Sequence, residues 1–168
     1  MTTHIRSKER VAKHGEVFTP EYIVHDMHNL IDNWADPTMI FLEPTCGHGN
    51  FVEAAVQKKL DAGLTAYQAV NTVFGMDIMK DNIEDCRRRV FHLVRPYANG
   101  DKEKEQELRC VIVNNIFPVK DSLAFIKEGK WDDKKFFAVD PTEVGGQVLS
   151  KIEQEKISSR ITEKEILL

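Results

Sequence analysis

Four short apolar runs punctuate the chain: Met39-Ile40-Phe41-Leu42, Val73-Phe74-Gly75-Met76, Cys110-Val111-Ile112-Val113 and Phe136-Phe137-Ala138-Val139. A run of this length with no polar alternation suits a strand buried on both faces, as in a parallel sheet. Stretches with helical spacing separate the runs. Thr19-Pro20-Glu21 reads as a helix start, with Thr as cap, Pro in the first turn and Glu at the positive end of the dipole. Ile23, Met27, Leu30, Ile31 and Trp34 then form one apolar face, and Asp36-Pro37 ends the helix. Further helices are expected over 50–62, where Gly63 suits a left-handed C-terminus, and over 81–94, ended by Pro96. Thr65 and Gln68 form a capping box, and Asp121 caps a short helix through Ile126. Helices alternating with strands predict an α/β fold, a parallel sheet of about four strands with flanking helices.

The 168 residues suit one domain. Residues 1–14 read as a basic N-terminal arm, with Arg6, Lys8, Arg10 and Lys13 against Glu9. The domain proper is expected over 15–145. Residues 146–168 read as a helical C-terminal tail, with a second capping box at Thr162-Glu163-Lys164-Glu165. Residues 99–109 carry charge without apolar periodicity and predict an exposed connector. The net charge of -4 argues against a chain that holds nucleic acid by bulk charge. No apolar run reaches the roughly 18–20 residues that span a bilayer, so no membrane association is expected. Three cysteines without CxxC spacing predict reduced thiols and a cytoplasmic setting.

In such sheets ligands bind beyond the carboxyl ends of the strands, and those ends carry the informative residues. After the first run stands Glu43-Pro44-Thr45-Cys46-Gly47-His48-Gly49-Asn50-Phe51. Two glycines one residue apart let the backbone approach a ligand closely, and a following helix N-terminus offers free N–H groups. After the second run comes Asp77-Ile78, where a carboxylate can accept both hydroxyls of a ribose. After the third come Asn114-Asn115-Ile116-Phe117: an amide that can read an adenine edge, and a ring to pack on it. Each element alone is ambiguous; the three in this order are much less so.

Together with Gly15-Glu16-Val17-Phe18-Thr19-Pro20, these segments resemble amino-methyltransferases that modify adenine in DNA. The likeness is to modification subunits of restriction–modification systems and their phage-encoded relatives, and it spans about residues 14–140. The resemblance implies a truncated Rossmann-like class I methyltransferase fold, strand order 3-2-1-4, with S-adenosylmethionine as cofactor. Carried over, Val17, Phe18 and Thr19 contact its methionine part. Glu43, Thr45, Cys46, Gly47 and Gly49 lie under it, Asp77 and Ile78 hold the ribose, and Asn115 and Phe117 meet the adenine. The family's catalytic motif, Asp or Asn followed by Pro-Pro and an aromatic residue, falls on Asp140-Pro141-Thr142-Glu143. Asp140 and Pro141 match its first two positions; the second Pro and the ring are missing.

Without that ring, an extruded base loses much of its grip. The stretch after Pro141 is also too short for the family's remaining strands and a target-recognition domain. These departures imply DNA methylation only with a partner chain, through an oligomer or heteromer formed at the exposed sheet edge. The alternative is a catalytically inactive cofactor-binding or regulatory protein, such as one that sequesters cofactor in phage counter-defence. Three other constellations carry less. His25 and His28 lie three apart, but no third ligand has suitable spacing, which favours a solvated helix face. Cys46 and His48, two apart across a turn, make a poor nucleophile–base pair. Arg87-Arg88-Arg89 follows Glu84-Asp85 and predicts a charge-paired surface.

Overall fold

The computed structural model of the chain describes residues 5–129. The expected fourth strand over 136–139, Asp140, Pro141 and the tail over 146–168 lie outside the described residues. Within them, helices α1 (Lys8–His14) and α2 (Glu21–His28) precede strand β1 (Phe41–Glu43). Helices α3 (Asn50–Asp61) and α4 (Ala66–Asn71) lead to β2 (Val73–Asp77). Helices α5 (Lys80–Val94) and α6 (Lys102–Asn115) lead to β3 (Ile116–Pro118), followed by α7 (Ser122–Lys127). The three strands form a parallel sheet in the order β1-β2-β3, with Phe41 opposite Val73 and Gly75 opposite Ile116.

The pleat divides the core. Val73 and Ile116 join side chains of α3, α4, α5 and α6 in the larger cluster, including Val52, Val56, Val70, Ile83, Val90 and Ile112. Leu42, Phe74, Met76 and Phe117 point to the other face, where Phe125 and Ile126 of α7 pack. A buried cation closes the α3 side. Lys59 is fully buried and donates to the Met39 carbonyl at 2.7 Å. Burial pushes its pKa down to about 8.

Several sequence expectations hold to within a residue or two. The Thr65–Gln68 capping box forms in both directions, and Asp121 caps α7 through the Ala124 amide. The helix expected to be capped by Thr19 starts at Glu21, with Pro20 at the cap position and no side-chain cap bond. It stops at His28, well before Trp34; the chain turns, with Asn33 at φ 67°. Trp34 folds back so that its indole N–H donates to the His28 carbonyl at 3.2 Å.

The third strand is displaced. Residues 110–113, expected as strand, lie in α6, and the strand begins only at Ile116. Cys110 through Asn115 are all buried. A helix end buried on all sides shows the same unbroken apolar run as a buried strand. The expected exposed connector over 99–109 is largely the first half of that helix. Its Asp101 accepts from the Glu103 and Lys104 amides, Glu105 is buried beside Arg95 and Lys102, and Arg109 lies 3.8 Å over the Phe91 ring. The arginine triplet also divides. Arg88 pairs with Asp85 on the surface. Arg87 is buried and donates to the Ile116 and Val113 carbonyls, fixing the α6–β3 junction to α5.

Candidate functional site

The parallel register sets the carboxyl ends of β1, β2 and β3 side by side, so that Glu43, Asp77 and Pro118 start three adjacent loops. The first loop is folded by its own side chains. Glu43 accepts from the Thr45 amide and hydroxyl, each at 3.0 Å. The Cys46 amide donates to the Met76 carbonyl at 2.7 Å, seating the loop on β2. Gly47 (φ 53°) and Gly49 (φ 103°) then take left-handed conformations that favour glycine. At Gly49 a side chain would also collide with α5: an added Cβ would lie 2.6 Å from the Cys86 sulfur and 3.1 Å from its Cα.

Asp77 joins this turn to the end of β2. One carboxylate oxygen accepts from the Gly47 amide at 2.9 Å and the other from the Met79 amide at 2.7 Å. An ionised carboxylate has about four acceptor positions, so capacity remains for further donors. Ile78 beside it is half exposed.

Two arginines hold the Gly15–Pro20 segment over this loop. Arg10 of α1 donates to Glu16 at 2.6 Å and to Asp81 at 2.5 Å, which holds the Asp81 carboxyl below its ordinary range. Asn82 donates to Glu16 at 2.7 Å and makes a longer contact with Asp77 at 3.4 Å. On the other side Arg89 of α5 donates to Asn50 at 2.7 Å and pairs with Glu53. Asn50 in turn donates to the Thr19 carbonyl at 2.7 Å. Arg89 therefore forms part of the scaffold of the loop, where the sequence suggested a surface charge.

The third loop differs from expectation. Asn115 precedes β3, so it stands at the opposite end of the strand from the loops. It is buried, donating to the Val70 and Asn71 carbonyls at 2.9 and 3.0 Å and accepting from Asn114. Phe117 lies within the strand, opposite Met76, and packs on Phe125 at 5.5 Å between centroids. The residues beyond β3 are Val119, Lys120 and Asp121, and Val119 donates its amide to the Asp77 carbonyl at 2.9 Å. Asp121, singled out by sequence only as a helix cap, stands where a ligand-reading group was sought. Its signal, an acid in the short loop between a strand and a helix, is masked by the displaced strand boundary.

These loops enclose a cavity of about 640 Å³, lined by Glu16, Val17, Pro44, Thr45, Asp77, Ile78, Met79, Val119, Asp121 and Leu123 among others. Val17, Ile78 and Leu123 belong to the small set of large apolar side chains left exposed, and all three face it. A second cavity of about 160 Å³ shares Val17 and Thr45 and continues past Phe18, Thr19, Glu43, Cys46, Gly47 and His48. Nine of the twelve residues assigned from sequence to the cofactor line one or both cavities. The exceptions are Gly49, which is buried against Cys86, and Asn115 and Phe117.

Cys46 is buried in contact with Cys86, and that hydrogen bond together with burial pushes its thiol well above the usual range. Such a thiol is a poor nucleophile. His28, expected on a solvated face beside His25, is instead buried among Trp34, Phe41 and Phe51. Among the described residues no helix is long and apolar enough to cross a membrane, and no three acidic, His or Cys groups gather closely enough to hold a metal ion. No family model, curated protein or solved structure matches the chain.

Proposed function

We propose that the chain binds S-adenosylmethionine across the two cavities, as the cofactor-binding domain of a DNA adenine methyltransferase. The observation that carries this reading is Asp77. It is a carboxylate at the end of the central described strand, anchored by two backbone amides, with acceptor capacity left and exposed apolar side chains beside it. A ribose diol supplies two hydroxyl donors for such a carboxylate. Ile78 and Leu123 offer apolar contact to an adenine ring, and Asp121 offers an acceptor for its amino group. The narrower cavity past Val17 and Thr45 suits the methionine end. Mostly apolar walls with a few convergent polar groups are the usual make-up of a small-molecule site.

Bound there, S-adenosylmethionine would supply a methyl group on a sulfonium sulfur; the S–C bond would break to a thioether as the adenine amino nitrogen takes the methyl and releases one proton to solvent. In this reading Asp140 would accept the amino hydrogens and Pro141 would fix its backbone carbonyl, roles carried over from the resemblance. Thr142 and Glu143 stand where the family has a second proline and a stacking ring. That favours a chain which binds cofactor but transfers methyl groups only when a partner supplies base stacking and target recognition.

Calorimetric titration with S-adenosylhomocysteine tests the binding. Wild type is expected to bind, and Asp77→Ala to weaken binding at least tenfold, the loss of about 1.4 kcal/mol in charge-assisted hydrogen bonding. No binding by wild type overturns the reading. Transfer of labelled methyl groups to duplex DNA by wild type and Asp140→Ala tests the second part; robust transfer by wild type alone refutes the need for a partner.

A further inference from the structure

We infer that His48 recognises the carboxylate at the amino-acid end of the ligand, an inference that rests on the cofactor-binding reading above. His48 lies between the two turn glycines, and its ring Nδ1 is 2.7 Å from a terminal nitrogen of Arg89. A guanidinium has only donors. Nδ1 must therefore be the acceptor, which leaves the imidazole neutral with its proton on Nε2. Burial and the Arg89 charge both hold the His48 pKa below its ordinary value, in agreement with that state. The described residues give Nε2 no hydrogen-bond partner.

The ring's orientation is fixed from both sides. Phe18 packs on it at 3.8 Å between centroids. Arg89 is itself held by Asn50 and Glu53. The imidazole lines the 160 Å³ cavity together with Glu43, whose Oε1 is engaged by Thr45 while its other oxygen is left to a ligand. An amino-acid end carries one cation and one anion. Glu43 suits the ammonium group, and the His48 Nε2–H, polarised by the guanidinium on Nδ1, suits the carboxylate. The sequence offered His48 only as a partner for Cys46. The structure gives it a different role, because its donor is set by Arg89, forty-one residues further along the chain.

The test compares S-adenosylhomocysteine with its decarboxylated analogue, which keeps the adenosine, the thioether and the amine. Both are titrated calorimetrically into wild type, His48→Phe and His48→Gln. Phe retains the packing on Phe18 without a donor; Gln restores an N–H. His48→Phe is expected to bind S-adenosylhomocysteine about tenfold more weakly and the analogue within twofold of wild type, a tenfold change being about 1.4 kcal/mol. His48→Gln is expected to recover part of the loss, and it decides the matter if the Phe variant fails to fold. Unchanged affinity for S-adenosylhomocysteine in the variants, or an equal loss for both ligands, overturns the role of His48 and leaves the cofactor reading standing. Wild type binding neither ligand overturns both.

Discussion

The two walls of the cleft are built differently. The wall made by residues 15–19, 43–50 and 77–79 is cross-braced. Asp77 bonds to the Gly47 and Met79 amides, Arg10 to Glu16 and Asp81, and Arg89 to Asn50 and Glu53, so each connects segments distant in sequence. Among the described residues, the wall made by residues 119–123 has fewer hydrogen bonds and is held mainly by apolar packing of Val119 and α7 on Phe74, Met76 and Phe117. Val119 bonds to the Asp77 carbonyl, Asp121 caps α7, and α7 has no fully buried residue. A densely bonded wall stays in place when its ligand leaves; a sparsely bonded one is drawn from the low-stability end of the molecule. In the proposed binding mode, the methionine end of the ligand meets the more densely bonded wall and the adenine end the more sparsely bonded one.

The sharpest challenge to this contrast is at Gly49. Its φ of 103° and the 2.6 Å separation of an added Cβ from the Cys86 sulfur leave no room for a side chain. Gly49→Val is expected to cost about 3 kcal/mol of stability, from backbone strain and overpacking together, measured by urea denaturation. A loss under 1 kcal/mol would mean that the braced wall yields, and the contrast would fail. For the other wall, Asp121 is compared with Asn115, which is buried at the far end of β3. Asn115→Ala strands two buried carbonyls and is expected to cost about 2 kcal/mol of stability, with affinity for S-adenosylhomocysteine unchanged. Asp121→Ala loses a cap worth about 1 kcal/mol but lowers affinity several-fold. The reverse pattern would return adenine recognition to Asn115.

The same contrast separates what could be read in the sequence from what could not. Only the local part of the braced wall is legible: Gly47 and Gly49 force a turn, Asp77 ends a strand, and Glu43 bonds to Thr45 two residues on. The long-range braces of Arg10 and Arg89 leave no local signal. The other wall depended on one boundary. Residues 110–113 fit a buried strand and a buried helix equally, and only packing against α4 and α5 decides for the helix, through contacts such as Arg87 with Val113. That displacement moved Asn115 and Phe117 away from the cleft and hid Asp121. Long-range partners were equally invisible. Nothing local shows that Arg89 reaches His48, or that His28 turns inward.

His28 gives the packing of α2 behind the braced wall a pH dependence of its own. It is 1% exposed, neither ring nitrogen has a hydrogen-bond partner among the described residues, and it sits against Trp34, Phe41 and Phe51 at 5.2 to 5.5 Å between centroids. Burial is the main cause that lowers its pKa from 6.5 to about 4, with the charge of Lys58 adding to the shift. The folded state thus refuses a proton that the unfolded chain accepts. Its contribution is complete above pH 6.5 and is lost as pH falls from 6.5 towards 4, reaching about 2 kcal/mol by pH 5. Denaturation at pH 7.5 and 5 is expected to show this loss in wild type, and His28→Phe, which cannot take up a proton, is expected to show less of it by that amount. Hydrogen exchange locates the effect: at pH 5 the amides of α2 are expected to lose protection before those of α6, because His28 closes α2 against β1 and α3. Equal pH dependence in wild type and His28→Phe would place the acid-sensitive group elsewhere than under α2.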